Sequence, residues 1–164
     1  MIFHVTFAAA VLGAGIHLWK ERSSGLQALR VVEICLLYLL CVKWGFGAAL
    51  TSIPHIVMPD EIARYIGWEP GSPFQLEVGF ASLGISIVGI LSIWFRGWFW
   101  LAPIVSRSVF LLGATYVHVQ DIAAHGNLSP GNAGAVLFYN VALPLLATGL
   151  FVAYARLGGT ARAA

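Results

Sequence analysis

The chain has 164 residues, of which 59% are hydrophobic and 10% are charged. A soluble domain carries about 25% charged residues, so this composition excludes most soluble enzyme classes and indicates a single integral-membrane domain over residues 1–164. The net charge of +2 does not indicate a surface that binds nucleic acid.

Five apolar runs are long enough to cross a bilayer, because a hydrocarbon core of about 30 Å requires about 20 apolar residues in a helix. In chain order they cover residues 2–19, 31–53, 74–95, 99–118 and 133–155. The sequence therefore predicts an all-α fold, namely a polytopic bundle of five transmembrane helices in a lipid bilayer.

Basic residues near the ends of the spans predict the orientation, because cytoplasmic loops carry more Lys and Arg than external ones. One side of five threaded helices collects Lys20, Arg22, Arg30, Arg96, Arg156 and Arg162. The opposite side holds Arg64, which has acidic neighbours. We therefore expect a protein of the cell membrane with its N-terminus outside and its C-terminus cytoplasmic.

The longest connection between spans covers residues 54–73. An interfacial helix over about residues 59–68 is predicted within it, because Pro59 precedes two acidic residues and apolar side chains then recur on one face. Two interpretations are open: a surface helix that closes the bundle, or a lid over a ligand pocket.

The third span carries a stripe of small residues on one helix face, formed by Gly79, Ser82, Ser86 and Gly89. Such a stripe allows the backbone of a second helix to approach closely, which is how helices commonly pack in lipid. Glu77 is not on this stripe and needs a different partner.

Five ionisable residues lie inside the apolar spans: Glu33, Lys43, Glu77, Arg107 and His118. Each charged group costs about 2.5–3.5 kcal/mol at membrane depth, so it is retained mainly where it faces a partner or a wet cavity. Counting depth along the helices pairs Lys43 with Glu77 and Glu33 with Arg107. Each pair would bring opposite charges together in a low dielectric.

The fourth span places a line of polar residues on one helix face. At 100° per residue, His118, Asp121 and His125 fall within about 40° of Arg107 if the helix continues beyond residue 118. This line resembles a path for protons or a ligand. Alternatively, Arg107 neutralises its partner while the other three residues cap and hydrate the helix end.

The same face offers at most a weak metal site. His118 and His125 are about 10.5 Å apart along an ideal helix, which is too far for both to bind one ion. Asp121 with either histidine, joined by Glu77, leaves a site of two or three ligands open. The paired Glu-x-x-His motifs of a di-iron bundle are not present in the sequence.

Four short motifs lie between Val31 and Leu150. They are Lys43 towards the end of one span, Ile66-Gly67-Trp68 in the following connection, Phe74-Gln75-Leu76-Glu77-Val78-Gly79 at the start of the next span, and Gly113-Ala114 followed by His118. Together these motifs resemble the DoxX-like group of small integral-membrane proteins. The resemblance implies a DoxX-like four-helix core with one additional N-terminal helix. Residues 72–79 and 129–132 also look like those of a family of small membrane proteins with no assigned function.

The DoxX-like resemblance implies a small subunit associated with membrane redox chemistry, in some members coupled to quinone and sulfur compounds. The compatible feature is a polar site at the outer face of the bundle, formed by Lys43, Glu77, His118, Asp121 and Asn140. A quinone head group needs hydrogen-bond partners beside apolar walls, which this set supplies. The expected partners are then a membrane redox complex or further copies of the chain.

Two other functional classes remain open at this point. Glu77, His118 and Asp121 could relay protons or gate a small solute, although five helices are few for one solute path and an oligomer would be needed. The protein could instead be a structural or assembly partner whose buried charges fix the register of its helices. The residues alone assign neither a cofactor nor an enzymatic reaction.

Overall fold

The computed structural model describes residues 2–162; Met1, Ala163 and Ala164, which belong to the predicted domain 1–164, lie outside the described residues. The helices are α1 (Ile2–Glu21), α2 (Ala28–Tyr38), α3 (Gly47–Val57), α4 (Pro59–Ile66), α5 (Phe74–Leu91), α6 (Leu101–His125), α7 (Pro130–Ala133), α8 (Ala135–Arg156) and α9 (Gly159–Arg162). Short 3-10 turns cover Arg22–Ser24 and Gly97–Trp100, and the π-helical segment Leu39–Phe46 joins α2 to α3.

Five helical stretches are long and apolar enough to cross a membrane, which confirms the predicted number. They are Ile2–Ser24, Ala28–Val57, Phe74–Leu91, Gly97–His125 and Pro130–Arg156. The fourth stretch extends beyond the predicted end at residue 118, because the helix continues until Gly126, whose φ of 64° ends it. The third is shorter than predicted because the backbone tightens into 3-10 turns after Leu91.

The central stretch Ala28–Val57 is the most deeply buried of the five. The helix continues beyond Ile53, the predicted end of the span, because Pro54 lies inside α3 and its carbonyl accepts a hydrogen bond from the backbone N–H of Met58 at 2.9 Å. Proline removes only its own N–H donor and crowds the preceding turn. The helix therefore continues for one more turn and carries His55 into the bundle.

The small-residue stripe of α5 packs as predicted. Gly79, Ser82, Ser86 and Gly89 are all buried, and α5 packs against α3 and the π-helical segment. At Gly89, a side-chain carbon would lie only 2.9 Å from the carbonyl oxygen of Leu40. The two backbones are therefore in direct contact, as close helix packing in lipid requires.

Large side chains fill one half of the bundle, between the central stretch, α6 and α8. The cluster includes Leu36, Leu40, Trp44, Trp100, Ile104, Leu143, Ala147, Phe151 and Tyr154. At the opposite end, α4 packs against α3, α5 and α7, and α7 packs against α6 and α8. We call this second end the α4 end; it is less completely filled and contains the candidate site.

Candidate functional site

A cavity of about 570 Å³ lies at the α4 end of the bundle. Its walls are contributed by α3, α5, α6 and α8 together with the first residues of α1, and most of the lining side chains are apolar. The polar side chains that reach it are His4, Thr51, His55, Gln75, Ser82, Arg107, His118 and Asn140. Small-molecule sites have this character, with volumes of about 300–1,000 Å³, apolar walls and a few polar groups.

Helix α4 covers the cavity at one end. Ile62, Tyr65 and Ile66 point their side chains into the lining, and α4 packs against α3, α5 and α7. The side-chain amide of Asn127 donates a hydrogen bond to the carbonyl of Ile66 at 2.9 Å, which fixes the end of the helix. Both interpretations of this helix agree with these contacts, and we call α4 the lid for its position over the cavity.

His118 is the central polar group near the lid and is 7% exposed. Asn132 donates its Nδ2 proton to the carbonyl of Asn127 at 2.8 Å, so its Oδ1 is the acceptor for His118 Nδ1 at 2.6 Å. In the neutral ring this leaves Nε2 of His118 as a hydrogen-bond acceptor. Within residues 2–162, Nε2 has no hydrogen-bond partner, so it is free to contact a ligand in the cavity.

Asp121 lies behind the lining of the cavity. Its Oδ2 accepts hydrogen bonds from Trp68 Nε1 at 2.8 Å and from Asn127 Nδ2 at 2.6 Å, and its Oδ1 is 2.8 Å from Nδ1 of His125. The Trp68 ring stacks on the His118 ring, with centroids 5.7 Å apart. Asp121 therefore positions Trp68 over His118.

A second polar pair lines the cavity and was missed by the sequence analysis. Nδ1 of His55 is 2.8 Å from Oε1 of Gln75, and Gln75 is buried. The available signal was the position of Gln75, which lies four and seven residues before Gly79 and Ser82 and so shares their buried face. His55 was missed because the predicted second span ends at residue 53, before Pro54.

Arg107 lies at the deep end of the cavity and is 6% exposed. Its Nη1 donates to Ser82 Oγ at 2.8 Å, and its guanidinium lies 5.2 Å from the centre of the Phe110 ring. The Nε atom has no hydrogen-bond partner among the described residues.

The predicted pair of Glu33 with Arg107 is not formed. Glu33 instead binds Arg30 at 2.9 Å and Arg96 at 2.8 Å. Both arginines lie near the same end of the bundle as Glu33, whereas Arg107 lies deeper along α6. The depth of a residue along its helix therefore predicted that these charges are inside the bundle but not which groups they contact.

The predicted pair of Lys43 with Glu77 is also not formed. Lys43 is 5% exposed, and its Nζ donates to the carbonyl of Phe3 at 3.2 Å and to Thr6 Oγ1 at 3.0 Å. It faces α1 from the π-helical segment and does not line the cavity. Glu77 is exposed, because it lies on the side of α5 opposite to the small-residue stripe.

The predicted polar site is therefore divided. His118 and Asn140 line the cavity, Asp121 lies behind Trp68, Lys43 faces α1, and Glu77 points away from the bundle. Within the described ranges, no group of three or more His, Cys, Asp or Glu side chains could hold a metal ion. The candidates Glu77, His118, Asp121 and His125 thus reduce to one contacting pair, Asp121 with His125.

A protein family of unknown function, DUF6790, has a model that matches residues 1–160. The chain is a DUF6790 protein. The match is to a family of unknown function and identifies no DoxX-like family, so the DoxX-like resemblance stays a prediction. No curated protein and no solved structure matches the DUF6790 chain.

Proposed function

We propose that this DUF6790 protein is an integral membrane protein that binds a lipophilic small molecule inside its helical bundle. The cavity of about 570 Å³ at the α4 end is the observation that carries the proposal. Its apolar walls suit the body of such a molecule, and His118 and Arg107 offer polar contacts near its two ends. The lid formed by α4 and Trp68 would control access.

The distribution of charge supports a location in the cell membrane with the N-terminus outside. Arg30 and Arg96 lie at the end of the bundle away from α4, where they share Glu33. Exposed Trp94 and Trp98 lie near the same end, as expected for side chains at a membrane surface. In this orientation the cavity lies in the outer half of the membrane.

A quinone-type molecule belongs to the proposed class of ligands. The DoxX-like resemblance implies such a molecule, and the cavity supplies an acceptor at His118 Nε2 for a hydroquinone hydroxyl and donors at Arg107 for a carbonyl. A role as a redox-associated subunit follows if the ligand is a quinone. A proton relay through Glu77, His118 and Asp121 is the weaker alternative, because Glu77 is exposed and does not line the cavity.

The proposal is tested by identifying what co-purifies with the protein. Ala114 lines the cavity, so Ala114→Phe should fill it, whereas Leu112→Phe adds a ring on an exposed face of the same helix. Mass spectrometry of extracts from protein purified in mild detergent should find one enriched lipophilic compound in the wild type and in Leu112→Phe. That compound should be lost from Ala114→Phe; equal recovery from all three proteins would contradict the proposal.

A further inference from the structure

Arg107 is the only Lys, Arg, Asp or Glu side chain among the residues that line the cavity. The seven acidic residues of the sequence are Glu21, Glu33, Asp60, Glu61, Glu69, Glu77 and Asp121, and each lies outside the lining. The salt bridges found within residues 2–162 use Glu21, Glu33 and Asp121, and each pairs with a residue other than Arg107. The cavity therefore carries a buried cation without a protein counterion.

The hydrogen-bond donors of this guanidinium are largely unused. Arginine has five N–H donors, and the described side chains supply one acceptor, Ser82 Oγ. The ring of Phe110 offers a cation–π contact at 5.2 Å, which is weaker than pairing with an anion. A buried charge is costly unless it is paired and hydrogen-bonded. Arg107 lines the cavity and its Nε–H has no partner among the described residues, so the guanidinium favours a ligand that carries an acceptor group.

We infer that the ligand of this cavity is an amphipathic carboxylate with a long apolar chain and that its carboxylate binds Arg107. This inference rests on the proposed function and specifies the chemical class of the ligand. A planar carboxylate fits the guanidinium fork with two parallel hydrogen bonds. A monoanion is favoured over a phosphate dianion because the lining supplies a single permanent positive charge.

The rest of the cavity suits the apolar chain. Buried Leu111 and partly buried Phe110 and Ala114 continue the wall from Arg107 towards the lid. Exposed apolar side chains, including Leu50 and Val117, form part of the rim. A chain held by its carboxylate at Arg107 would therefore leave the bundle through an apolar opening that faces lipid.

The inference is tested with two radiolabelled probes, palmitate and methyl palmitate, which differ only in the charge of the head group. Binding to full-length protein in detergent is measured by scintillation proximity. Wild-type protein should bind palmitate at least about tenfold more tightly than the ester, because the carboxylate forms an ion pair with the guanidinium whereas the ester offers only a neutral acceptor. Equal affinity for the two probes would overturn the inference, whatever the variants do.

Substitution of the arginine provides the second arm. Arg107→Gln should weaken palmitate binding by at least about tenfold and methyl palmitate binding much less, whereas exposed Arg156→Gln is the matched control and should change neither. Acetate at the same concentration should not displace palmitate; displacement would show a site for small anions and would contradict the requirement for an apolar chain. Sensitivity of both probes to Ala114→Phe without a preference for the acid would overturn this inference and leave the proposed function standing.

Discussion

The two cations buried inside this bundle, Lys43 and Arg107, take neutral oxygen atoms as their partners. Lys43 binds a carbonyl and a hydroxyl of α1, and Arg107 binds the hydroxyl of Ser82. Carboxylates are instead used near the bundle ends, where Glu33 joins Arg30 to Arg96. Lys43 and Arg107 differ in their access to the cavity, because Arg107 lines it and Lys43 does not.

The two glutamates of the predicted charge pairs should respond differently to neutralisation. Glu33→Gln removes the charge that two arginines share and should lower the free energy of unfolding by about 1–2 kcal/mol. Glu77→Gln changes an exposed side chain and should alter it by less than about 0.5 kcal/mol. Denaturant titration in detergent measures both. A larger loss for Glu77→Gln than for Glu33→Gln would contradict the assigned contacts.

At this scale, the sequence predicted which ionisable side chains lie within the helical stretches, because each interrupts an apolar run. It did not predict their partners, since the rotation of one helix against another depends on packing of all neighbours. Glu77 illustrates this point: its depth matched that of Lys43, but its position opposite the stripe of α5 directs it away from the bundle. His118 and Asn140 are buried, as expected for polar side chains that lie inside apolar spans.

Among the elements, the π-helical segment Leu39–Phe46 and helix α5 have their backbones in direct contact. At Gly45 and Gly89, an added side-chain carbon would lie 3.0 Å and 3.1 Å, respectively, from a backbone nitrogen of the other element. Short π-helical segments occur frequently at functional sites. Here the segment turns Lys43 towards α1 while it keeps Gly45 against α5.

Two glycines of α5 provide a matched test of this contact. Gly89→Ala should destabilise the protein by about 1–3 kcal/mol, because backbone atoms on both sides have little freedom to move away. A side-chain carbon added at Gly84 would meet no atom within 4 Å. Gly84→Ala should therefore leave the stability of the protein unchanged or raise it by up to about 1 kcal/mol, since Ala is the better helix former. Thermal unfolding of both variants checks the expectation. Equal melting temperatures would show that the packing at Gly89 is looser than described.

The stripe of small residues was predictable because its spacing follows the helical period. The π-helical geometry was not, since the sequence around Gly45 and Gly47 indicated only a looser helix. Helix α4 was predicted from Pro59 and the apolar face behind it. Its contacts with α7 and with the loop before α7 were not, because they join residues distant in the chain, as in the hydrogen bond from Asn127 of that loop to Ile66.

The molecule as a whole is a bundle whose two ends differ in packing. One end is filled by aromatic and aliphatic side chains around Trp100, and the other encloses the cavity under α4. The number of helices was predictable from the length of the apolar runs. The cavity was not, because empty space depends on the combined volume of side chains from at least four helices.

The proposed orientation predicts which loops are accessible from outside the cell. In a protein with Cys35 and Cys41 replaced by Ala, Leu128→Cys should react with a membrane-impermeant maleimide in intact cells, because its side chain is exposed at the α4 end. Ser23→Cys lies in the exposed turn after α1 and should react only after the membrane is permeabilised. The reverse pattern would overturn the orientation.

The most direct test of the central claim is an experimental structure of the protein crystallised from a lipid mesophase without added ligand. The proposal predicts elongated density inside the cavity under α4, in contact with Arg107 at its deep end and with His118 near the lid. A cavity closed by collapse of the surrounding helices, or one that contains only water, would contradict it.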